Sequence, residues 1–227
     1  MSLQELHERL LSWATAEPRT VDLLAARGEH YGRYGEPRED ELTYEPRVNG
    51  MLDHYLYDFR PNGGKTSTLE NFIAADGAEM DPITLDAFRR LTATVHGLFE
   101  VRKIEEGRLV LRDVFTEVDH DIAERRQLAG LTKGDIIEAR LLPFGEQLYF
   151  SGAHIYHPTE VRKRIVAEVK RLRKEAGRTG QPDVKSFLAK LSRMAFKFER
   201  YRNVRLESIY DFSPEAIALT PRPSPKV

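Results

Sequence analysis

The sequence predicts an α+β fold: a helical N-terminal region, a small five-stranded β-barrel and two C-terminal amphipathic basic helices. Three observations carry this. Apolar residues recur at helical spacing before Gly97 and again after Pro158. Between Gly97 and His157, runs of strand length recur with glycines between them. Charge is also segregated along the chain: Met1–Pro158 holds 18 Lys/Arg against 28 Asp/Glu, whereas Thr159–Arg205 holds 15 against five. The expected division is an acidic helical region (1–96), a barrel (97–157), a basic helical pair (158–205) and an extended tail (206–227).

In chain order, Ser2 with Glu5 three residues on makes a capping box, and Leu3, Leu6, Leu10, Leu11 and Trp13 continue as a one-sided helix to about Ala16. Val21–Ala26 reads as a second short helix stopped by Gly28, and Gly32–Glu45 as a loop. Val48–Phe59, rich in apolar and aromatic residues, reads as a helix entering the core, broken by Pro61-Asn62-Gly63-Gly64. Thr68 caps a helical turn to Ala74, and Asp81-Pro82 opens a helix to about Thr94. Leu98–Ile104 and Leu109–Phe115 flank the Gly107 turn as a hairpin. Thr116–Ile122, Asp135–Leu142 and Gln147–Ile155 complete five strands, the number of a small closed or partly open barrel. The proline-rich end, Ser213-Pro214 and Pro221–Pro225, reads as extended.

Composition excludes several function classes. There is no cysteine, hence no disulfide, thiol catalysis or Cys-ligated zinc or iron–sulfur centre. Charged residues make up 31% of the chain, and no apolar run has the ~20 residues of a membrane span. With a polar N-terminus in place of an export signal, the expectation is a soluble, cytoplasmic protein with no membrane partner.

The basic segment supplies the candidate site. Val161, Ile165, Val169, Leu172 and Ala176 share one arc of a helix, with Lys170, Arg173 and Lys174 off it. In the next helix Val184, Phe187, Leu188, Leu191, Ala195 and Phe198 form the apolar face, opposite Lys190, Arg193, Lys197 and Arg200. Like charges at this spacing cost a few tenths of a kcal/mol per pair. The stripe is therefore unfavourable unless solvent, the chain's own acidic lobe, a dimer mate or an acidic partner offsets it. Four aligned cations also match what a phosphate backbone rewards. Phe144, Tyr149, Phe150 and Tyr156 are the aromatics on which barrel-bound bases would stack, or else core residues.

Other motifs fall short. Gly63-Gly64-Lys65-Thr66 lacks the first glycine of a phosphate-binding loop, Phe59 standing in its place. Ser151-Gly152 lacks the first glycine of a nucleophile elbow. Glu105-Glu106 sits in the hairpin turn, where solvation suits it poorly to acid–base work. His154 and His157, three apart on a strand, face opposite ways, so a metal site with His120 requires a corner to converge them.

A family resemblance lies in the centre. Tyr57-Asp58-Phe59 with Thr68–Ile73, Gly97–Val101 with Leu109–Val114, and Leu131–Arg140 resemble uncharacterised bacterial proteins associated with a SEC-C motif, over about Val48–His157. The Cys-rich zinc motif of that group is absent, so the resemblance implies a fold rather than a zinc-dependent role. The resulting expectation is a non-enzymatic binding or adaptor protein, with no cofactor, docking an acidic partner such as nucleic acid. A protein-interaction or self-assembly module is the first alternative. A metal-dependent enzyme around His120, His154 and His157 is the second.

Overall fold

A computed structural model describes residues 1–123, 130–201 and 203–213. The Ser2 capping box opens α1 (Leu3–Thr15) as expected: Glu5 N–H donates to Ser2 Oγ at 3.2 Å and Ser2 N–H to Glu5 Oε2 at 2.6 Å. Its buried stripe is Leu6, Leu10 and Ala14. Helix α2 spans Thr20–Tyr34, so Gly28 does not stop it. A helical glycine costs about 1 kcal/mol, and burial of Ala26, His30 and Tyr34 on the same helix offsets that cost. Gly35 ends it at a φ of 99°, where a Cβ would lie 3.1 Å from the Phe196 ring.

Helix α3 is Tyr44–Asp53, and the five residues that continue it, His54–Asp58, wind as a π-helix. Helix α4 (Thr68–Asp76) is capped by Ser67 rather than Thr68: Ser67 and Glu70 form the reciprocal box, and Thr68 is buried. Helix α5 (Pro82–Arg90) is capped by Asp81, which accepts from Ile83 and Thr84 N–H; Leu91–Ala93 then forms a 3-10 turn.

Five strands follow: β1 (Val95–Glu105), β2 (Arg108–Asp113), β3 (Asp119–Ala123), β4 (Ile136–Phe144) and β5 (Gln147–His157). They close a barrel in the order β1-β2-β3-β5-β4, with β3 and β5 parallel and the other neighbours antiparallel. Phe99, Val101, Leu111, Ile137, Ala139 and Leu141 fill its interior. Helices α6 (Arg162–Thr179) and α7 (Val184–Arg200) come next.

Two further apolar clusters clamp the barrel from outside. Leu142 joins Leu6, Leu10, Tyr55, Phe72 and Phe88 of the N-terminal helices. Leu98 and Ile136 join Ile165 and Val169 of α6 and Phe187, Leu188 and Leu191 of α7. The segment expected as an extended tail from residue 206 begins instead with a helical turn, α8 (Leu206–Ile209). Tyr210 is wholly buried there, its hydroxyl 3.1 Å from His157 Nδ1. An aromatic on this scale buries enough apolar surface to order the chain around it. The rest of that tail, 214–227, lies outside the described residues. No helix among the described residues is long and apolar enough to cross a membrane.

Candidate ligand-binding site

Alternation along β4 creates the site. Its odd residues point into the barrel, so Glu138 and Arg140 point outward, where α2, α3 and α7 cover them. They are only 4% and 3% exposed. Strand β5 carries a register shift opposite Arg140. Gly152 within it holds a φ of 98°, and a Cβ there would meet Asn49 Nδ2 at 3.3 Å. The glycine therefore permits both the bulge and the close approach of α3.

Arg140 is held on several sides. It donates from Nη2 to Asp58 Oδ2 and from Nη1 to Thr94 Oγ1, the latter at 2.8 Å, and its guanidinium lies 5.3 Å from the centre of the Tyr57 ring. Its Nε is 3.8 Å from Asp53 Oδ2, too long for a hydrogen bond. Asp53 instead accepts from Ser151 Oγ at 2.5 Å. The π-helix sets this arrangement. Its wider turn, closed by Phe59 N–H on His54 O at 2.7 Å, puts Asp53, His54 and Asp58 all on the cleft. Such turns are frequent at functional sites.

Histidines supply the remaining polar wall. Glu138 Oε1 is 3.2 Å from His96 Nε2. His30 stacks nearly parallel on Tyr34, with ring centres 4.5 Å apart, and its ring centre is 5.4 Å from that of His54. Burial, reinforced by the neighbouring imidazoles of His54 and His96, pushes His30 down to about 3. Burial also lowers His54, against the opposing pull of Asp58 and Glu29. Both rings are thus neutral near pH 7, each nitrogen able to donate or accept according to tautomer. Burial raises the Asp53 carboxyl. Burial pushes Asp58 the same way, but the Arg140 charge and others more than offset it, and Asp58 lies below the ordinary range.

Four buried polar atoms on this cleft have no hydrogen-bond partner among the described residues: His30 Nδ1, His54 Nε2, Glu138 Oε2 and Arg140 Nε. Each such atom costs about 1–3 kcal/mol when left unsatisfied. The enclosed space is about 50 Å³, room for roughly three to five waters. At the entrance stand the exposed side chains of Arg33 and Lys185.

None of the basic residues singled out from the sequence lies on this cleft. On α7, Arg193 donates from Nε and Nη2 to the carbonyls of Arg33 and Gly32, both at 2.6 Å. Arg200 pairs with Glu41, donates to Glu36 O at 3.0 Å and lies against the Phe196 ring. Lys190 sits 4.9 Å from the centre of the Phe212 ring. These three cations meet groups of their own chain; Lys197 makes no hydrogen bond or ion pair among the described residues. On α6, Arg173 pairs with Glu117. Lys170 and Lys174 are exposed and, like Lys163 on the same helix, make no hydrogen bond or ion pair among the described residues. Of the α7 apolar face, Phe187 and Leu191 are buried, while Phe198 is 41% exposed.

Phe150 packs against the barrel core and Phe144 against the N-terminal cluster; Tyr156 is exposed. The β4 partners of His154 and His157 are Ala139 and Ile136, which face the barrel interior and the α6–α7 cluster respectively, and His120 sets its ring against the edge of Phe99. No group of three His, Asp or Glu suited to a metal ion occurs among the described residues.

Sequence reasoning missed the cleft residues. The available signal was the pair Glu138 and Arg140, alternating within the apolar run Ile136–Leu142. By spacing alone they read as a solvated strand face.

A family model described as a family of unknown function (DUF7986) matches residues 3–205. No curated protein and no solved structure matches the chain.

Proposed function

We propose that this chain, which belongs to that family of unknown function, is a binding protein whose ligand is a small polar molecule held in the cleft between the helices and β4. One observation carries the reading: four buried polar atoms without a hydrogen-bond partner among the described residues, from α2, the π-helix and β4, gather on a single cleft. Buried polar groups are nearly always paired, and a cluster of exceptions is what a bound molecule or ordered water would satisfy. Melting curves across a library of small polar compounds test it. Compounds that raise the melting temperature of the wild type and not of Glu138→Gln are expected. A library without a single wild-type hit would remove the reading.

A second reading, docking of an acidic partner, is favoured by a different observation. Lys163, Lys170 and Lys174 recur along α6, all exposed and none paired among the described residues. Of the α7 stripe, Lys197 alone is comparably unengaged. Nucleic acid is the first partner to try, because phosphate contacts leave a measurable salt dependence. Binding of labelled single strands that weakens steeply with salt, and is abolished when the three α6 lysines become Glu, is the expected result. Binding that is absent at low salt leaves a protein-interaction module as the form of this reading.

A further inference from the structure

The inventory of the cleft also limits what its ligand can be. Glu138 Oε2 is an acceptor and Arg140 Nε a donor, both buried, without a hydrogen-bond partner among the described residues and two residues apart on the outward face of β4. A hydroxyl answers both with a single oxygen, donating to the carboxylate and accepting from the guanidinium; an ammonium offers no acceptor and a carboxylate no donor. His30 Nδ1 and His54 Nε2, also without a hydrogen-bond partner among the described residues, are two more positions for hydroxyl oxygens.

An anion is unwelcome this deep, because the carboxyl groups of Asp53, Asp58 and Glu138 outnumber the guanidiniums of Arg47 and Arg140 on the floor. The entrance has the opposite character. Arg33 and Lys185 are exposed there. Lys185 makes no hydrogen bond or ion pair among the described residues, and Arg33 has only an exposed pair with Glu29 at 3.3 Å. Such an exposed pair is worth little and leaves Arg33 able to turn to a ligand. A space of about 50 Å³ restricts the molecule to a handful of heavy atoms.

We infer that the cleft takes a small hydroxycarboxylate, its hydroxyl on Glu138 and Arg140 and its carboxylate toward Arg33 and Lys185. The inference rests on the reading of the cleft as a ligand site. Titration calorimetry at neutral pH tests it with four probes. Glycolate and lactate carry both groups, propionate lacks the hydroxyl, and propane-1,2-diol lacks the carboxylate.

The expected result is that lactate or glycolate binds at least about tenfold more tightly than either partial analogue. Glu138→Gln should lose most of that affinity. Because a floor variant can also disturb folding, Arg33→Ala with Lys185→Ala, both exposed, gives the independent arm. It should weaken lactate about tenfold and leave the diol unchanged. Equal binding of lactate and propionate overturns the hydroxyl assignment, and equal binding of lactate and the diol overturns the carboxylate assignment. Failure of all four probes at millimolar concentration overturns the class. The compound library then separates the two failures: a hit from another chemical class keeps the ligand site, and none removes both.

Discussion

Toward the barrel axis β4 presents Ile137, Ala139 and Leu141, and toward the helices Glu138 and Arg140, yet all five are at most 4% exposed. The inner face makes a core in which no atom seeks a hydrogen bond. The outer face leaves Glu138 Oε2 and Arg140 Nε without partners under a cover of helices. Burial alone therefore does not distinguish a core from a site; polar satisfaction does. Stability on the inner side depends on packing, and on the outer side on keeping a set of charges in balance.

The largest expected effect comes from breaking that balance. Arg140→Met leaves Asp53 and Asp58 buried without their cation, and removing one partner of a buried pair costs about 3–5 kcal/mol. Urea denaturation at neutral pH measures it. Adding Asp58→Asn should recover part of the loss, because the uncompensated charge is then fewer; no recovery would show that the Arg140 side chain acts by packing instead.

On the inner side, Leu141→Ala should cost about 2–5 kcal/mol through the cavity it leaves. It should do so equally at pH 7 and pH 5, whereas the Arg140 effect should change as the carboxylates protonate.

Acid sharpens the contrast. His30 and His157 are held down to about 3 by burial, while an unfolded histidine takes its proton near 6.5. Between those values the unfolded state binds more protons, so stability rises with pH and is lost as pH falls below 6.5. Each ring should contribute about 1.4 kcal/mol per pH unit over that window. Denaturation midpoints from pH 7 to 4.5 would show the slope, and His30→Gln should remove about half of this histidine contribution.

Smaller still, Ser151→Ala removes the donor to Asp53 and should cost about 1–3 kcal/mol. The smallest effect belongs to α6: Lys170→Gln and Lys174→Gln should each shift stability by no more than about 0.5 kcal/mol. A larger loss there would mean that these lysines serve the fold.

How much of this was legible in the chain differs from element to element. The Ser2–Glu5 box, the Asp81 cap and the turn at Gly107 act within a few residues, and each stands where local chemistry puts it. Gly28 misled because its helical cost is about 1 kcal/mol, small enough for the burial of His30 and Tyr34 to override. Thr68 resembles a cap, but Ser67, one residue earlier, has the extended backbone of a cap and its hydroxyl accepts from Glu70 N–H, while Thr68 is already helical. The π-helix at His54–Asp58 has no periodic signature over so few residues, and it is what brings Asp53, His54 and Asp58 to one cleft.

Helices α6 and α7 separate the two kinds of knowledge most clearly. From sequence, the cations of α6 and α7 were equivalent. Only the packing of α7 against α2 and the 36–41 segment engages Arg193 and Arg200 with carbonyls and Glu41, while the α6 lysines face away. By itself the sequence determined the order of the longer helices and the strands and most of the apolar faces they bury, because helix and strand periods are local properties of the chain. The tertiary structure alone decided what covers each polar face, because those covers come from far along the chain. Glu138 and Arg140 became the floor of a cleft only when α2 and α3, more than 80 residues earlier, closed over them.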